Sequence, residues 1–365
     1  EGMSGIAVSN GWTITRTGDD GAFELDVDLT RYPFVFLNTP SGFRPADSFY
    51  RRISATGHAQ DIVQFDLIPD PSRSKAELRL AAVSDAHIVL GDEQQGVSQV
   101  STEEVLQDLS QVVRECQPDF IVNTGDLTSH GTEEAFAAYN AAVDQVGLPV
   151  MSIVGNHDMP DGAHPDSACL KFLGPDQYSF EWGRFHFVVY PWPEPTREER
   201  FEEWFRTDLA QQTETKKIVV IAHGPPGLTT ENEATSTPSC VPPEVWDDPR
   251  VVLVLHGHYH TTRVLNIGST KVVSIPCLTR GTIDTNPRGY ALIDLAEGDV
   301  KVTIRALRQT VPDDKASPPA LFTKSRDRAL QRKWSQVLPC SLHRSEAIEW
   351  NAQILLTTGD VGNPD

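Results

Sequence analysis

Residues 251–260, VVLVLHGHYH, end in two histidines two positions apart. Side chains at i and i+2 of a strand share a face, so His258 and His260 can present their imidazoles to one point in space. Gly257 lets the backbone turn tightly there and come close to a ligand. Two imidazoles at a strand end suit a metal ion; a plain pair of loop histidines is the alternative if nothing else converges on them. Four more apolar runs end in groups of the same kind. LRLAAVSDAH delivers Asp85 and His87, DFIVNTGD delivers Asp126, PVMSIVGNHD delivers Asn156, His157 and Asp158, and KKIVVIAHGPP delivers His223. A lone histidine on an apolar strand is usually a core residue, so each motif is weak by itself. Five of the eleven histidines fall in these strand ends, and that conjunction carries the reading. Carboxylates, imidazoles and one amide oxygen suit borderline-hard divalent ions such as Mn, Fe, Co or Zn, and the lack of cysteine among them disfavours a structural zinc site.

The elements that must position these groups follow from the apolar pattern. Residues 1–72 read as a small all-β module, with short runs at 11–17, 22–27, 34–37 and 62–68 separated by Asn-Gly, Asp-Asp-Gly and Pro-Ser-Gly turns. Pro69 to Ser72 form the linker out of it. From Leu78 strands alternate with amphipathic helices, the mark of βαβ units. STEEVLQDLSQVVREC carries a capping box, Ser101 with Glu104, and an apolar face of Val105, Leu109, Val112 and Cys116. A second helix starts near Thr132 and buries Phe136, Tyr139, Val143 and Val146. YSFEW and FHFVVY read as an antiparallel hairpin around Gly183, followed by a helix over 197–210. RVLNIG, KVVSIP, YALIDL and VKVTIRAL predict a second, largely antiparallel sheet packed on the first. The expected fold is α/β (α+β), a two-sheet β-sandwich flanked by helices, in three parts: an accessory β module over 1–72, a catalytic domain over 73–310 and a C-terminal extension over 311–365 with a basic helix candidate before Trp334. In sheet-based α/β folds ligands bind at the carboxyl ends of the strands, which is where the polar groups cluster.

Composition bounds the function. The 365 residues are 39% hydrophobic and 22% charged, with a net charge of −20, so long nucleic acid is disfavoured as a partner. A multivalent metal centre could still hold one small phosphate against that field. No run of 18 apolar residues exists, which excludes a membrane-spanning helix. The start EGMSGIAV shows no export signal, and five scattered cysteines without a CxxC pair read as free thiols. Both point to the cytoplasm.

The series Asp85-x-His87, Gly125-Asp126, Gly155-Asn156-His157-Asp158, His223 and Gly257-His258-x-His260 resembles the calcineurin-like metallophosphoesterase family over about residues 78 to 307. The resemblance implies a dinuclear metal site on a β-sandwich, with two divalent ions (Mn, Fe or Zn). Asp85, His87 and His260 would hold the first ion, Asn156, His223 and His258 the second, and Asp126 would bridge them. Two such ions lower the pKa of a shared water and clamp both oxygens of an in-line displacement, so a bridging hydroxide would attack phosphorus. His157, not a ligand in the family, would be the general acid, with Asp158 orienting it and raising its pKa.

Ser84-Asp85-Ala86-His87 with GDLT and GNHD looks more like the bacterial small-molecule and cyclic-nucleotide phosphodiesterase branch than like purple acid phosphatases, which have Gly where His87 stands and Tyr where Ser129 stands. GIAVSNGWTITRTGDDGAFEL resembles the prealbumin-like modules that precede the catalytic domain in some bacterial phosphoesterases. The implied activity is metal-dependent hydrolysis of small organic phosphate esters, diester or monoester. The rivals are a nuclease of the same family and a non-catalytic metal-holding protein. His130 and His164 are candidates to touch substrate. His256 reads as core or as a support to the ligands. Trp182 and Trp192 read as core residues, with stacking on a base or sugar as the alternative. Specificity is expected from loops 88–99, 159–177 and 225–241.

Overall fold

The N-terminal part forms six short strands, β1 (Ala7–Ser9), β2 (Ile14–Arg16), β3 (Phe34–Leu37), β4 (Phe43–Pro45), β5 (Tyr50–Arg52) and β6 (Leu67–Pro69). The runs at 11–17, 34–37 and 62–68 hold β2, β3 and the start of β6, whereas β1, β4 and β5 fall outside the expected runs. They form one sheet in the order β2-β1-β3-β5 and a separate pair, β4-β6. The run at 22–27 keeps its alternating exposure but pairs with no strand and stays irregular. Period-2 patterning makes a strand only where a ladder partner is at hand. The computed structural model describes residues 2–30, 32–53, 62–90, 100–160, 166–192, 198–225, 244–279 and 286–307; His164, Cys240, Cys340 and the expected basic helix before Trp334 lie outside them. Residues 1–306 form one compact unit.

The next elements are β7 (Leu78–Val83), α1 (Thr102–Cys116), β8 (Phe120–Asn123), α2 (Glu133–Val143), β9 (Val150–Ser152), α3 (Ala168–Phe172), β10 (Tyr178–Trp182), β11 (Phe185–Tyr190) and α4 (Glu198–Ala210). They are followed by β12 (Lys217–Ala222), α5 (Glu244–Asp247), β13 (Val251–His256), β14 (Arg263–Ile267), β15 (Thr270–Ser274), β16 (Gly289–Ala296) and β17 (Asp299–Ala306). The capping box at Ser101 and Glu104 is formed, and Thr132 caps α2 through the Ala135 N–H.

Two sheets face each other. One runs β17-β16-β7-β8-β9, the other β10-β11-β12-β13-β15-β14. The sandwich is as expected, but its partition is not. The hairpin β14-β15 joins the strands of the second sheet through a parallel pairing of β13 with β15, and only β16, antiparallel to β7, and β17, antiparallel to β16, extend the sheet of β7. An apolar strand reads the same in either sheet, so periodicity could not assign it. Between the sheets Phe120 stacks on Trp182 at 4.5 Å and Phe180 on Phe187 at 4.8 Å. All four are buried, and each contributes about 2–3 kcal/mol of burial free energy.

Within each sheet the strands that carry the polar motifs run parallel: β7, β8 and β9 in one, β12 and β13 in the other. Their carboxyl ends therefore fall at one edge of each sheet. The N-terminal strands abut β10, with Thr39 bridging to Phe180 and accepting from the Glu181 N–H. Trp204 of α4 donates to Ser9, and Tyr32 to Asp176. Among the described residues no helix is long and apolar enough to cross a membrane.

Candidate metal centre

Backbone pairing continues past the strand ends and carries the polar residues with it. The Asp85 N–H donates to Gly125 O and the His87 N–H to Asp126 O, both at 2.9 Å, so the loops after β7 and β8 are laced together. The Gly257 N–H donates to His223 O at 3.0 Å and ties the ends of β12 and β13. Among the described residues six non-glycine residues have positive φ, and five belong to this site: Asp85 (52°), His87 (48°), Asp126 (51°), His258 (70°) and His260 (49°). Left-handed backbone costs roughly 1–2 kcal/mol per ordinary residue and persists where surrounding structure fixes it, commonly at functional sites. Glycine is required where the loops meet. A Cβ on Gly155 would lie 2.2 Å from Asp126 Oδ1, and one on Gly257 would lie 2.0 Å from Ser84 Oγ and 2.7 Å from Asp85 Oδ2.

The side chains converge in two adjoining groups. In the first, His87 Nε2 lies 3.0 Å from His260 Nε2, and His260 Nε2 lies 3.4 Å from Asp85 Oδ1. In the second, His223 Nε2 lies 3.1 Å from Asn156 Oδ1, and His258 Nδ1 lies 3.0 Å from the same oxygen. Asp126 Oδ2 stands between the groups, 3.5 Å from His87 Nε2 and 3.2 Å from His223 Nε2.

These donor sets fit divalent ions. Ligand bonds of about 2.0–2.2 Å at tetrahedral or octahedral angles place neighbouring donor atoms about 3.0–3.5 Å apart. Two facing Nε2 atoms at 3.0 Å cannot both keep a proton on that nitrogen, whereas a cation between them is satisfied by both lone pairs. His223 donates from Nδ1 to Thr124 O at 2.8 Å, which turns Nε2 toward Asp126 and Asn156, the nitrogen that would face a bound cation.

Charge in the site is tuned by burial and by its neighbours. Burial opposes ionisation of Asp126, but His223, its hydrogen bond, His87 and the His157 N–H hold the carboxyl well below the ordinary range. Burial likewise opposes charge on His223, yet Asp126 and Asp85 raise it to about 9. His87 and His258 are pushed down to about 4, chiefly by burial, and stand neutral.

His157 is exposed at the mouth of the site. Its ring meets His87 edge-on at 4.6 Å, and its Nδ1 lies 3.2 Å from Ser129 O. Asp158 does not orient it. That carboxylate is fully engaged beneath the site: Oδ2 accepts from the Leu127 and Gly155 N–H groups at 3.0 Å, and Oδ1 from the Thr128 N–H and hydroxyl at 2.9 Å. The expected Asp158–His157 pair is thus corrected. Asp158 clamps the loop after Asp126 to the turn that carries Asn156, and a backbone carbonyl takes the place beside the imidazole. Burial and the nearby Asp126 push Asp158 up to about 6, against the four donors that favour its anion.

His130 is exposed and hydrogen-bonds to no described residue. His256 is buried, with Nδ1 3.1 Å from Gly257 O, and burial pushes it down to about 4. Trp182 is core, whereas Trp192 is half-exposed beside the second group, 4.9 Å from His258 and 5.4 Å from His223 between ring centroids. Sequence reasoning set Trp192 in the core; its proximity follows from the parallel pairing of β11 with β12, which brings the end of β11 to the same edge. Thr124 O, Ser129 O and the Leu127 and Thr128 amides were also missed, because backbone groups leave no residue-type signal.

The sandwich and the strand-end donor groups are those of a metallophosphoesterase. The chain belongs to the calcineurin-like phosphoesterase family, whose model matches residues 78–262, and the model for the N-terminal part of calcineurin-like phosphoesterases matches residues 1–70. It is a phosphoric ester hydrolase. It is 23% identical over 265 residues to the 3',5'-cyclic adenosine monophosphate phosphodiesterase CpdA of Escherichia coli, covering 67% of this chain and 95% of that one. A probable cyclic nucleotide phosphodiesterase of Synechococcus is 22% identical over 217 residues, 58% of this chain and 84% of its own. Among solved structures, a purple acid phosphatase from yellow lupin overlays with a TM-score of 0.48 and 12% identity, covering 83% of this chain and 67% of that one.

Proposed function

We propose that the chain is a two-metal hydrolase of small organic phosphate esters, with cyclic-nucleotide-like phosphodiesters as the first substrates to try. The observation that carries this reading is Asp126 Oδ2, which stands 3.5 Å from His87 and 3.2 Å from His223 and so faces both donor groups. Asp85, His87 and His260 would hold one divalent ion, Asn156, His223 and His258 the other, and Asp126 both. When bound, the ions would supply Lewis acidity toward the phosphate oxygens and make an attacking water more acidic.

The chain's own part is positioning and proton transfer. Thr124 O fixes the His223 ring, and the His258 N–H braces Asp85 at 3.2 Å from both carboxylate oxygens. His157, exposed above the first group, can carry a proton to the leaving alcohol while Ser129 O holds its Nδ1 side. The names of the bacterial relatives support the diester preference; the acidic balance of 51 Asp and Glu against 31 Lys and Arg supports small rather than polymeric substrates.

The test is turnover of bis-nitrophenyl phosphate and of cyclic AMP by the full chain with added Mn, beside an Asp126→Asn variant. Metal and activity should be lost together in the variant. Full metal occupancy in Asp126→Asn by elemental analysis would refute the shared-ligand assignment.

A further inference from the structure

Away from the metal centre, one buried cation has no use so far. Arg73 sits in a short helical turn, Pro71–Ser74, after β6. It is only 6% exposed, and its guanidinium lies over Trp182, 4.4 Å from the ring centroid. Yet it donates no hydrogen bond to any described residue. Its Nε is buried without a partner, and the nearest carboxylate oxygen, Asp70 Oδ2, is 3.6 Å away. A guanidinium carries five donors, and buried polar groups in folded proteins are nearly always paired.

Arg73 lines a cavity of about 250 Å³ where the N-terminal strands meet β9 and β10. Arg44 lines it too. Arg44 is exposed, and its one hydrogen bond is a long one of 3.4 Å to Pro45 O. The carboxylate in the wall, Asp47, is already engaged by Arg51 at 3.1 Å and by the Ser48 N–H at 2.7 Å. The wall also holds Thr39 and Ser48 and an apolar side of Phe49, Met151, Tyr178 and Phe180, with Phe49 and Tyr178 packed at 4.7 Å. Burial and the like charge of Arg44 both weaken the hold of Arg73 on its proton, with Asp70 acting the other way. In a chain of net charge −20, two incompletely neutralised guanidinium groups on one cavity are a local reversal of sign.

We propose that this cavity is a second ligand site, separate from the metal centre, which takes a small organic oxyanion with its phosphate or carboxylate on Arg44 and Arg73 and a flat apolar body against Phe49 and Tyr178. Planar guanidinium forks match such oxyanions two bonds at a time. The site gives the N-terminal module a binding role that packing against β10 does not explain.

The probe is phenylphosphonate, which has the oxyanion and a ring but no ester to hydrolyse, with benzyl alcohol as the neutral control. Hydrogen exchange with mass spectrometry on the full, metal-loaded chain reads where it binds. Phenylphosphonate should protect segments 43–49 and 176–181, and benzyl alcohol should not. Arg44→Ala, an exposed change that leaves folding intact, should raise the concentration needed for half protection on the order of tenfold, and Arg73→Gln should abolish protection at the same doses. Asp126→Asn should leave protection of these segments in place, which separates this site from the metal centre. Protection confined to the metal-centre loops, equal protection by benzyl alcohol, or an unchanged response in Arg44→Ala would each overturn the proposal.

Discussion

Asp158→Asn isolates what the buried carboxylate under the metal centre does. The substitution keeps shape and volume but exchanges one acceptor oxygen for an NH2 group. If the amide nitrogen takes the Oδ1 position, the Thr128 hydroxyl can rotate to accept from it, but the Thr128 N–H, now 2.9 Å from an acceptor, meets a second donor. If it takes the Oδ2 position, the Leu127 and Gly155 N–H groups both lose their acceptor at 3.0 Å. The first arrangement is the cheaper, and one buried N–H left without a partner costs about 1–3 kcal/mol. With a urea slope of about 3 kcal/mol/M, the midpoint should fall by about 0.3–1 M at unchanged slope. The shape of the pH–rate profile should stay that of the parent, because Asp158 does not touch the His157 ring. Equilibrium urea unfolding followed by fluorescence, and kcat against pH with a nitrophenyl diester, are the assays. A parent-like urea midpoint together with a displaced limb of the pH profile would sink this reasoning and return Asp158 to the role of orienting carboxylate.

Other expectations follow from the same geometry. His157→Gln should keep its metal content but lose about 10²–10⁴ in kcat for alkyl esters, and far less for nitrophenyl esters, whose leaving group needs no proton; equal losses for both would remove His157 as the acid. Gly257→Ala forces its new Cβ against Ser84 and Asp85, so it should cost about 1–3 kcal/mol of stability and weaken metal retention, and normal melting with full metal content would contradict the close approach. Cys169 is buried, and burial first of all pushes its thiol from 9.0 up to about 12. Peptide mapping after iodoacetamide at pH 8 should find it unlabelled in the native chain and labelled in urea. Because its folded pKa is raised, its contribution to stability is intact below pH 9 and is lost as pH climbs toward 12.

Much of the site was legible because each candidate ligand lies within a few residues of the end of an apolar strand, most of them largely buried, and such strands read as near-continuous apolar runs. Asp85, His87, Asp126, Asn156, His223, His258 and His260 meet because those strands are parallel within their sheets. What was not legible depends on contacts between distant parts of the chain. The allocation of β14 and β15 to the sheet of β13 rests on backbone pairing that either sheet could have offered. Asp158 was misread since a carboxylate next to a histidine looks like its partner, while its real partners are the Gly155 amide and donors of Leu127 and Thr128 some thirty residues earlier. Trp192 was set in the core because only the β11–β12 pairing brings it to the metal edge. Arg73 gave no signal at all: an arginine after a proline-bounded turn reads as surface.

The five left-handed residues at the candidate metal centre bear on how such a site could be transplanted. Copying seven side chains onto the strand ends of another sandwich would give the right functional groups on the wrong main chain. Ordinary loop backbone would aim those imidazoles and carboxylates elsewhere, and nothing in the side chains would pull it into the left-handed region. A graft would have to bring the loops whole, with Gly155 and Gly257 and with the amide lacing between the turns after β7 and β8. For the same reason, a change that retunes the centre while keeping its donors has to act on the groups around it, such as Trp192, because changing the path of the loops would scatter the donors themselves.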